Sequence, residues 1–384
     1  MRILFVNPFY KPYLGGIERV IEALAREFLR RQEVEAVGLL TTFWSFPRSF
    51  HPQWPAEDED QGLRIWRVRS FPAFAPPFYQ VPLVYFYLSD FQRILRSFKP
   101  DIIQLMNDRW FFANWALQFL APPQSKIYLS PSFHDLSWKN QWLRLLNFFL
   151  YRRLDGIQAI TNLEAEKLVR NYGVAREKIR VIPWGYSHWK AAAQAGKKKK
   201  STTINLLAVG RLSEHKGQAW LLDLFAEVEA LVDQPLRLIL VGADEGAGKN
   251  LTAFCRTHHL EEKVVLAGAV SDEELARYYQ EADIFLLFPA YEAFGLVFLE
   301  AMSYGLPVLS HRVGALAEVL QDKALLVDPY NRAQAKVILT RLINDSSWRT
   351  QVGKAGQEFV AKNYSWSNSA EKFLQWYQGG QNGG

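Results

Sequence analysis

Short apolar runs alternate with helix-length amphipathic stretches from one end of this chain to the other. Such alternation predicts an α/β protein of parallel strands joined by crossover helices. In the first half, strands are expected at Ile3–Asn7, Glu35–Thr41, Leu63–Val68, Asp101–Leu105, Ile127–Ser130, Gly156–Thr161 and Ile179–Ile182. The periodicity then stops, and an alanine-rich stretch, four consecutive lysines and Ser-Thr-Thr follow. Those residues repel one another and have no face to bury, so 191–203 reads as a linker. The pattern restarts with strands at Ile204–Val209, Arg237–Val241, Val264–Ala267, Ile284–Phe288, Val308–Ser310 and Leu325–Val327. Two doubly wound, Rossmann-like domains are expected, 1–190 and 204–364, facing each other. A last helix, 365–378, is expected to pack back on the first domain, and the glycine-rich 379–384 to be disordered.

With 384 residues, 49% of them hydrophobic, the chain exceeds what one core fills, which agrees with two domains. The single Cys255 excludes an intramolecular disulfide and a cysteine metal site, and fits a reducing compartment. Residues Met1–Pro8 hold too short an apolar run for a signal peptide, and no run approaches the ~18 residues of a spanning helix. The reading is a cytoplasmic protein. Charge is uneven: residues 1–190 carry 25 Lys+Arg against 17 Asp+Glu, whereas 191–384 carry 20 against 22. Basic charge among aromatic residues suits an anionic membrane surface or an anionic acceptor. No nucleic-acid-binding module is recognisable, so nucleic acid is not expected as a partner.

The chemistry concentrates in Tyr291–Glu300, where two carboxylates stand eight residues apart around a Phe-Gly that follows an apolar strand. A helix expected over Phe294–Ser303 leaves the amides of Phe294 to Val297 without intrahelical acceptors, and its positive end makes a diphosphate seat. Glu300 then lies two turns on, about 12 Å along the axis. Glu292 precedes the helix, so one acid faces a ribose and the other the transferred group. After the first strand of the second half, Gly210-Arg211-Leu-Ser-Glu-His-Lys216-Gly217 puts two cations at the carboxyl edge of the sheet, where α/β folds bind ligands. Alone, each would read as a surface cation; beside the acidic pair they read as a clamp for a diphosphate leaving group. Leu240–Asn250 comes near a phosphate-binding P-loop but has Ala243 and Asn250 where glycine and a hydroxyl are required, so no ATPase is expected. Asp58-Glu59-Asp60 reads as a solvated acidic loop. No Asp-x-Asp pair stands at a strand end, so no metal and no other cofactor is implied.

From Pro8 to Trp366 these motifs resemble, in order, those of the GT-B glycosyltransferases, specifically the large retaining family 4 (group 1) with its E-x7-E signature. Gly15-Gly16-Ile-Glu-Arg19 is similar to the family's N-terminal glycine loop, Arg211 with Lys216 to its diphosphate clamp, and Glu292–Glu300 to the signature itself. The resemblance implies two Rossmann-like domains across a cleft. It further implies that His134, Arg211, Lys216 and Glu292 act in catalysis, and that Gly15, Gly16, Val270, Phe294, Gly295, Leu296, Val297 and Glu300 bind the donor together with Arg211, Lys216 and Glu292. Val270 would lie near the base, Glu300 on the ribose, and the Leu296 and Val297 amides on the phosphates. Two departures stand out: Trp184 with His188 in Ile182–His188, where the family shows Ile-Pro-Asn-Gly-Val-Asp, and Ala315 where a second glycine is common.

The implied activity moves a sugar from a nucleotide-sugar donor to the hydroxyl of a glycan, a lipid-linked compound or a small molecule, with retention at the anomeric carbon. A non-catalytic nucleotide-sugar-binding protein and an epimerase of the same fold are the alternatives. Trp138–Arg153 and Trp110–Trp115 support two readings. One is a core helix; the other is docking at the inner face of a membrane, with aromatics and Arg144, Arg152 and Arg153 meeting anionic lipid.

Overall fold

The computed structural model describes residues 1–11, 16–45, 49–73, 83–108, 111–131, 141–186, 202–329 and 331–379. The chain divides into two compact units, Met1–Gly185 with Trp366–Gly384, and Tyr186–Ser365.

The first unit contains strands β1 (Arg2–Val6), β2 (Ala36–Thr42), β3 (Trp44–Ser45), β4 (Ser49–Phe50), β5 (Glu57–Asp60), β6 (Leu63–Val68), β7 (Ser70–Ala73), β8 (Leu83–Phe86), β9 (Ile102–Leu105), β10 (Lys126–Leu129), β11 (Gly156–Ala159) and β12 (Ile179–Val181). Helices α1 (Gly16–Phe28), α2 (Leu88–Phe98), α3 (Phe111–Leu120), α4 (Gln141–Arg153) and α5 (Asn162–Tyr172) join them. Eight strands make one sheet in the order β12-β11-β10-β9-β1-β2-β6-β5. It is parallel except at β5, which runs antiparallel to β6. The near-continuous apolar sequence of β1 follows from its central place, covered on both faces.

β5 corrects the reading of Asp58-Glu59-Asp60 as a loop. Its acidic side chains are tolerated because it is an edge strand with cations to meet: Asp58 pairs with Arg67 at 3.1 Å and Asp60 with Lys11 at 2.7 Å. Charge at an edge also discourages pairing with another chain.

The second unit holds β13 (Ile204–Val209), β14 (Leu236–Val241), β15 (Val264–Gly268), β16 (Ile284–Leu287), β17 (Val308–His311) and β18 (Leu325–Val327). Its helices are α6 (Gln218–Glu229), α7 (Gly248–Thr257), α8 (Asp272–Glu281), α9 (Leu296–Ser303), α10 (Leu316–Leu320), α11 (Arg332–Asn344) and α12 (Ser346–Asn363). All six strands are parallel, in the order β15-β14-β13-β16-β17-β18. Their starts and stops are set locally. Ser271 and Glu274 form a reciprocal capping box at the head of α8, for example.

The last helix, α13 (Trp366–Tyr377), returns to the first unit. Ala370, Phe373, Leu374 and Tyr377 recur on one face and join Phe5, Val20, Leu24 and Phe28 in a single core. Its Tyr377 hydroxyl donates to Gln104 Oε1 at 2.7 Å, and Gln104 donates to Ser130 Oγ at 2.9 Å. Ser130 continues to Gln158, whose amide donates to Ile182 O at 2.6 Å. Ser369 Oγ donates to Pro183 O at 2.8 Å. Trp184 packs partly buried against the same core. The departure at that position therefore serves packing in this unit, while His188 lies outside the described residues.

Candidate functional site

In the six-stranded sheet the chain runs outward from β13 to β14 and β15, then returns to lay β16, β17 and β18 on the other side. The order reverses between β13 and β16, and loops leaving the carboxyl ends of such a pair diverge to open a crevice. The loops bearing Lys216 and Glu292 leave from these two strands.

Gly217 lets the first loop lie close to the second. Its φ is +70°, and a Cβ there would stand 1.8 Å from Phe288 O. Ala290 N–H donates to His215 O at 2.9 Å and stitches the loops together. Lys216 Nζ then reaches Glu292 Oε2 at 2.8 Å, with the two side chains only 24% and 15% exposed. The backbone of Glu292 is held from a third loop, since Ala315 N–H donates to its carbonyl at 3.0 Å. Gly314, with φ +54°, permits that approach; a Cβ on it would lie 2.0 Å from the same oxygen. The positive φ thus falls on Gly314, and Ala315 fits without glycine.

Gly295 (φ +86°) is the cap of α9, which starts at Leu296, two residues later than the sequence pattern suggests. Phe294 is spent on the core, buried against Tyr364 with ring centroids 6.0 Å apart. The first-turn amides belong to Leu296 and Val297, and no acceptor among the described residues takes them. With the later start, Glu300 stands about one turn, roughly 6 Å, beyond Leu296 rather than two turns into the helix. Tyr279 OH donates to Glu300 Oε2 at 3.0 Å. Burial and then the Glu300 carboxylate push this phenol well above its usual range, so it remains a donor.

The two cations part company. Lys216 turns to Glu292, whereas Arg211, 61% exposed, ion-pairs with Glu245 on the loop after β14. Val270 lies two residues beyond β15, half-buried, immediately before the Ser271 cap of α8. Gly16 heads α1 in the first unit, where the strand order also reverses, between β1 and β9. Gly15 and His134 lie outside the described residues.

The near P-loop has a physical explanation. Asp244 Oδ1 accepts the Gly246 and Gly248 N–H groups at 2.8 and 2.9 Å, filling with its own carboxylate the head of α7 where a phosphate would sit. Those amides hold the Asp244 carboxyl below the usual range.

Two family models match consecutive halves of the chain. "Glycosyltransferase Family 4" covers residues 14–188, and "Glycosyl transferases group 1" covers residues 190–359. This chain belongs to the family 4 glycosyltransferases. A family relative, mannosylfructose-phosphate synthase of Agrobacterium fabrum, is 27% identical over 60% of this chain and 54% of its own length. A D-inositol 3-phosphate glycosyltransferase of Corynebacterium diphtheriae is 35% identical over 44% of this chain and 41% of its own length. The chain spans about half the length of these curated relatives; one from an Arthrobacter species, 26% identical, aligns over 94% of this chain and 90% of its own. Among solved structures, sucrose-phosphate synthase of Thermosynechococcus elongatus superposes with a TM-score of 0.76 over 98% of both chains at 21% identity. HepE of Anabaena, solved in complex with UDP, gives 0.73 over 99% and 100% at 18%. The fold is GT-B.

Within this family 4 chain, sequence reading missed Tyr279 and Glu245, and met Gly314 only as the glycine before Ala315. Tyr279 carried a signal of burial, three residues after Ala276 on an otherwise polar helix, but nothing local paired it with Glu300. Glu245 and Gly314 meet their partners only through loops from other strands. Among the described residues, no cluster of three or more His, Cys, Asp or Glu side chains is placed to hold a metal ion, and no helix is long and apolar enough to cross a membrane.

Proposed function

We propose that the chain transfers a sugar from a nucleotide-sugar donor to an acceptor hydroxyl with retention of anomeric configuration. The observation that carries this reading is the Lys216–Glu292 ion pair at the β13/β16 reversal, on the same loop that delivers the Leu296 and Val297 amides. Those amides and the head of α9 receive the diphosphate, and Lys216 offsets the charge that grows on it as the sugar departs. Glu292 is assigned to the sugar, Glu300, steadied by Tyr279, to the ribose, and Val270 to the base. Arg211 is assigned to the diphosphate, exchanging Glu245 for it. Gly15, Gly16 and His134 are assigned to the reaction on the resemblance alone.

The bond from the anomeric carbon to the phosphate oxygen breaks while a bond to the acceptor oxygen forms on the same face, and the acceptor's proton passes to the departing phosphate. The protein contributes positioning and charge stabilisation. Lys216 and Arg211 supply the positive charge, so the reading needs no metal. The acceptor is a glycan, a lipid-linked compound or a small hydroxyl compound. The place of action is the cytoplasm, peripherally at the inner face of a membrane. UDP in the HepE structure and the names of the sugar-phosphate relatives support the donor class.

A thermal-shift panel of UDP-, GDP- and ADP-sugars tests this, because a ligand bound only by the native form raises the melting temperature. One donor should stabilise the chain and release nucleoside diphosphate faster when an acceptor is added, with product anomers assigned by NMR. If no member of the panel raises the melting temperature, the reading fails.

A further inference from the structure

Helices α3 and α4 each bury one face in the first unit: Ala113 and Leu117 from α3, and Leu150 and Tyr151 from α4, with Leu154 just beyond it. Their outward residues tell a second story. Phe119 is 68% exposed and Phe149 50%, and Arg152 and Arg153 are exposed beside them. The Arg153 guanidinium lies 5.2 Å from the Phe119 ring and 5.6 Å from the Trp115 ring, linking the two helices. Arg152 lies 4.1 Å from the Phe148 ring. A guanidinium held near an aromatic ring in this way keeps its N–H donors available for other partners.

Neither arginine meets a carboxylate among the described residues. Asp155, the next acid along the chain, is turned away to accept Ile127 N–H at 2.7 Å. Lys178 Nζ adds a further cation at this end of α4, donating to Arg152 O and Leu154 O at 2.8 and 2.9 Å. Residues 109–154 hold six Lys+Arg and one acid. Exposed rings beside arginines that meet no carboxylate suit one kind of surface. At a bilayer the rings settle at the interface and the guanidinium donors meet headgroup phosphates.

We propose that the α3–α4 face, through Phe119, Phe149, Arg152 and Arg153, docks the first unit on an anionic lipid bilayer. This rests on observations separate from the transfer reading. A fluid anionic bilayer matches exposed rings set beside arginines that meet no carboxylate among the described residues.

Co-sedimentation with phosphatidylglycerol/phosphatidylcholine vesicles, against pure phosphatidylcholine, tests the proposal. The wild type should bind the anionic vesicles at low salt, release in high salt, and ignore the neutral ones. R152Q/R153Q should bind about thirtyfold more weakly, from roughly 1 kcal/mol per basic residue near an anionic surface. F119S/F149S should also lose binding, with both variants keeping the wild-type melting temperature because the changed side chains are exposed. Equal binding by wild type and both variants would overturn the proposal. So would equal binding to neutral vesicles, no binding at low salt, or preferential capture by duplex DNA. Nucleoside diphosphate release with a soluble acceptor reads the transfer site independently, so loss of one behaviour leaves the other standing.

Discussion

Lys216 and Glu292, 76 positions apart in sequence, form a 2.8 Å ion pair between the loops that leave β13 and β16. Half-buried pairs of this kind add little to stability, about 1 kcal/mol or less, because desolvation offsets most of the attraction. Their worth appears when the charges are redirected to a substrate. We expect K216Q to lower turnover by about 10²-fold or more while moving the melting temperature by only a few degrees. Steady-state kinetics beside a melting curve check this, and wild-type turnover in K216Q would remove Lys216 from the proposed chemistry.

Gly314 holds the Glu292 backbone by leaving room for it. In G314A the new methyl would stand 2.0 Å from Glu292 O at a φ of +54°, so the loop must shift. Strain in left-handed backbone alone costs about 1–2 kcal/mol, and the clash adds to it. We expect a clear fall in melting temperature and a larger fall in kcat than in donor affinity, since Glu292 moves while Lys216 and α9 remain. Unchanged kcat in a folded G314A would show that Glu292 placement is not limiting.

Tyr279 reaches Glu300 from α8 with a 3.0 Å hydrogen bond. Y279F keeps the ring, which stacks on Tyr304 at 5.2 Å, and removes only the hydroxyl. A hydrogen bond to a charged group contributes about 1.5–3 kcal/mol, so a donor KM roughly tenfold higher or more is expected, with kcat little altered. An unaltered KM would mean that Glu300 needs no support, or does not touch the donor.

Glu164 makes a prediction about pH. It lies in the first turn of α5, buried, accepting Ile160 N–H at 2.6 Å, and desolvation raises its pKa from 4.5 to about 8. Between those values the folded chain holds a proton that the unfolded chain has released. The resulting stabilisation is complete below 4.5 and disappears as pH climbs through about 8. E164Q stays neutral and still presents an oxygen to Ile160. The wild type should therefore lose stability relative to E164Q from pH 5 to 9, by on the order of a few kcal/mol. Parallel melting curves across that range would show that Glu164 is not protonated in the fold.

Strand placement was legible in sequence because parallel strands buried on both faces must be apolar throughout, and the expected runs lie within one or two residues of the strands observed. β5 was not legible, since an edge strand can be acidic when Lys11 and Arg67 arrive from elsewhere. The start of α9 was misplaced by two residues for a related reason. Local propensity allows Phe294 in a helix, but its burial against Tyr364 and the left-handed turn at Gly295 end the loop later.

By itself the sequence determined the α/β class, the order of strands along the chain and the residue types present at the candidate site, because these follow from short-range periodicity and from chemistry carried by each residue. Tertiary structure alone decided the partners. Lys216 is joined to Glu292, Arg211 to Glu245 and Tyr279 to Glu300, and α13 lies on the first unit. Each is a meeting of segments brought together by strand order and loop packing, and no local pattern encodes which distant segment will arrive.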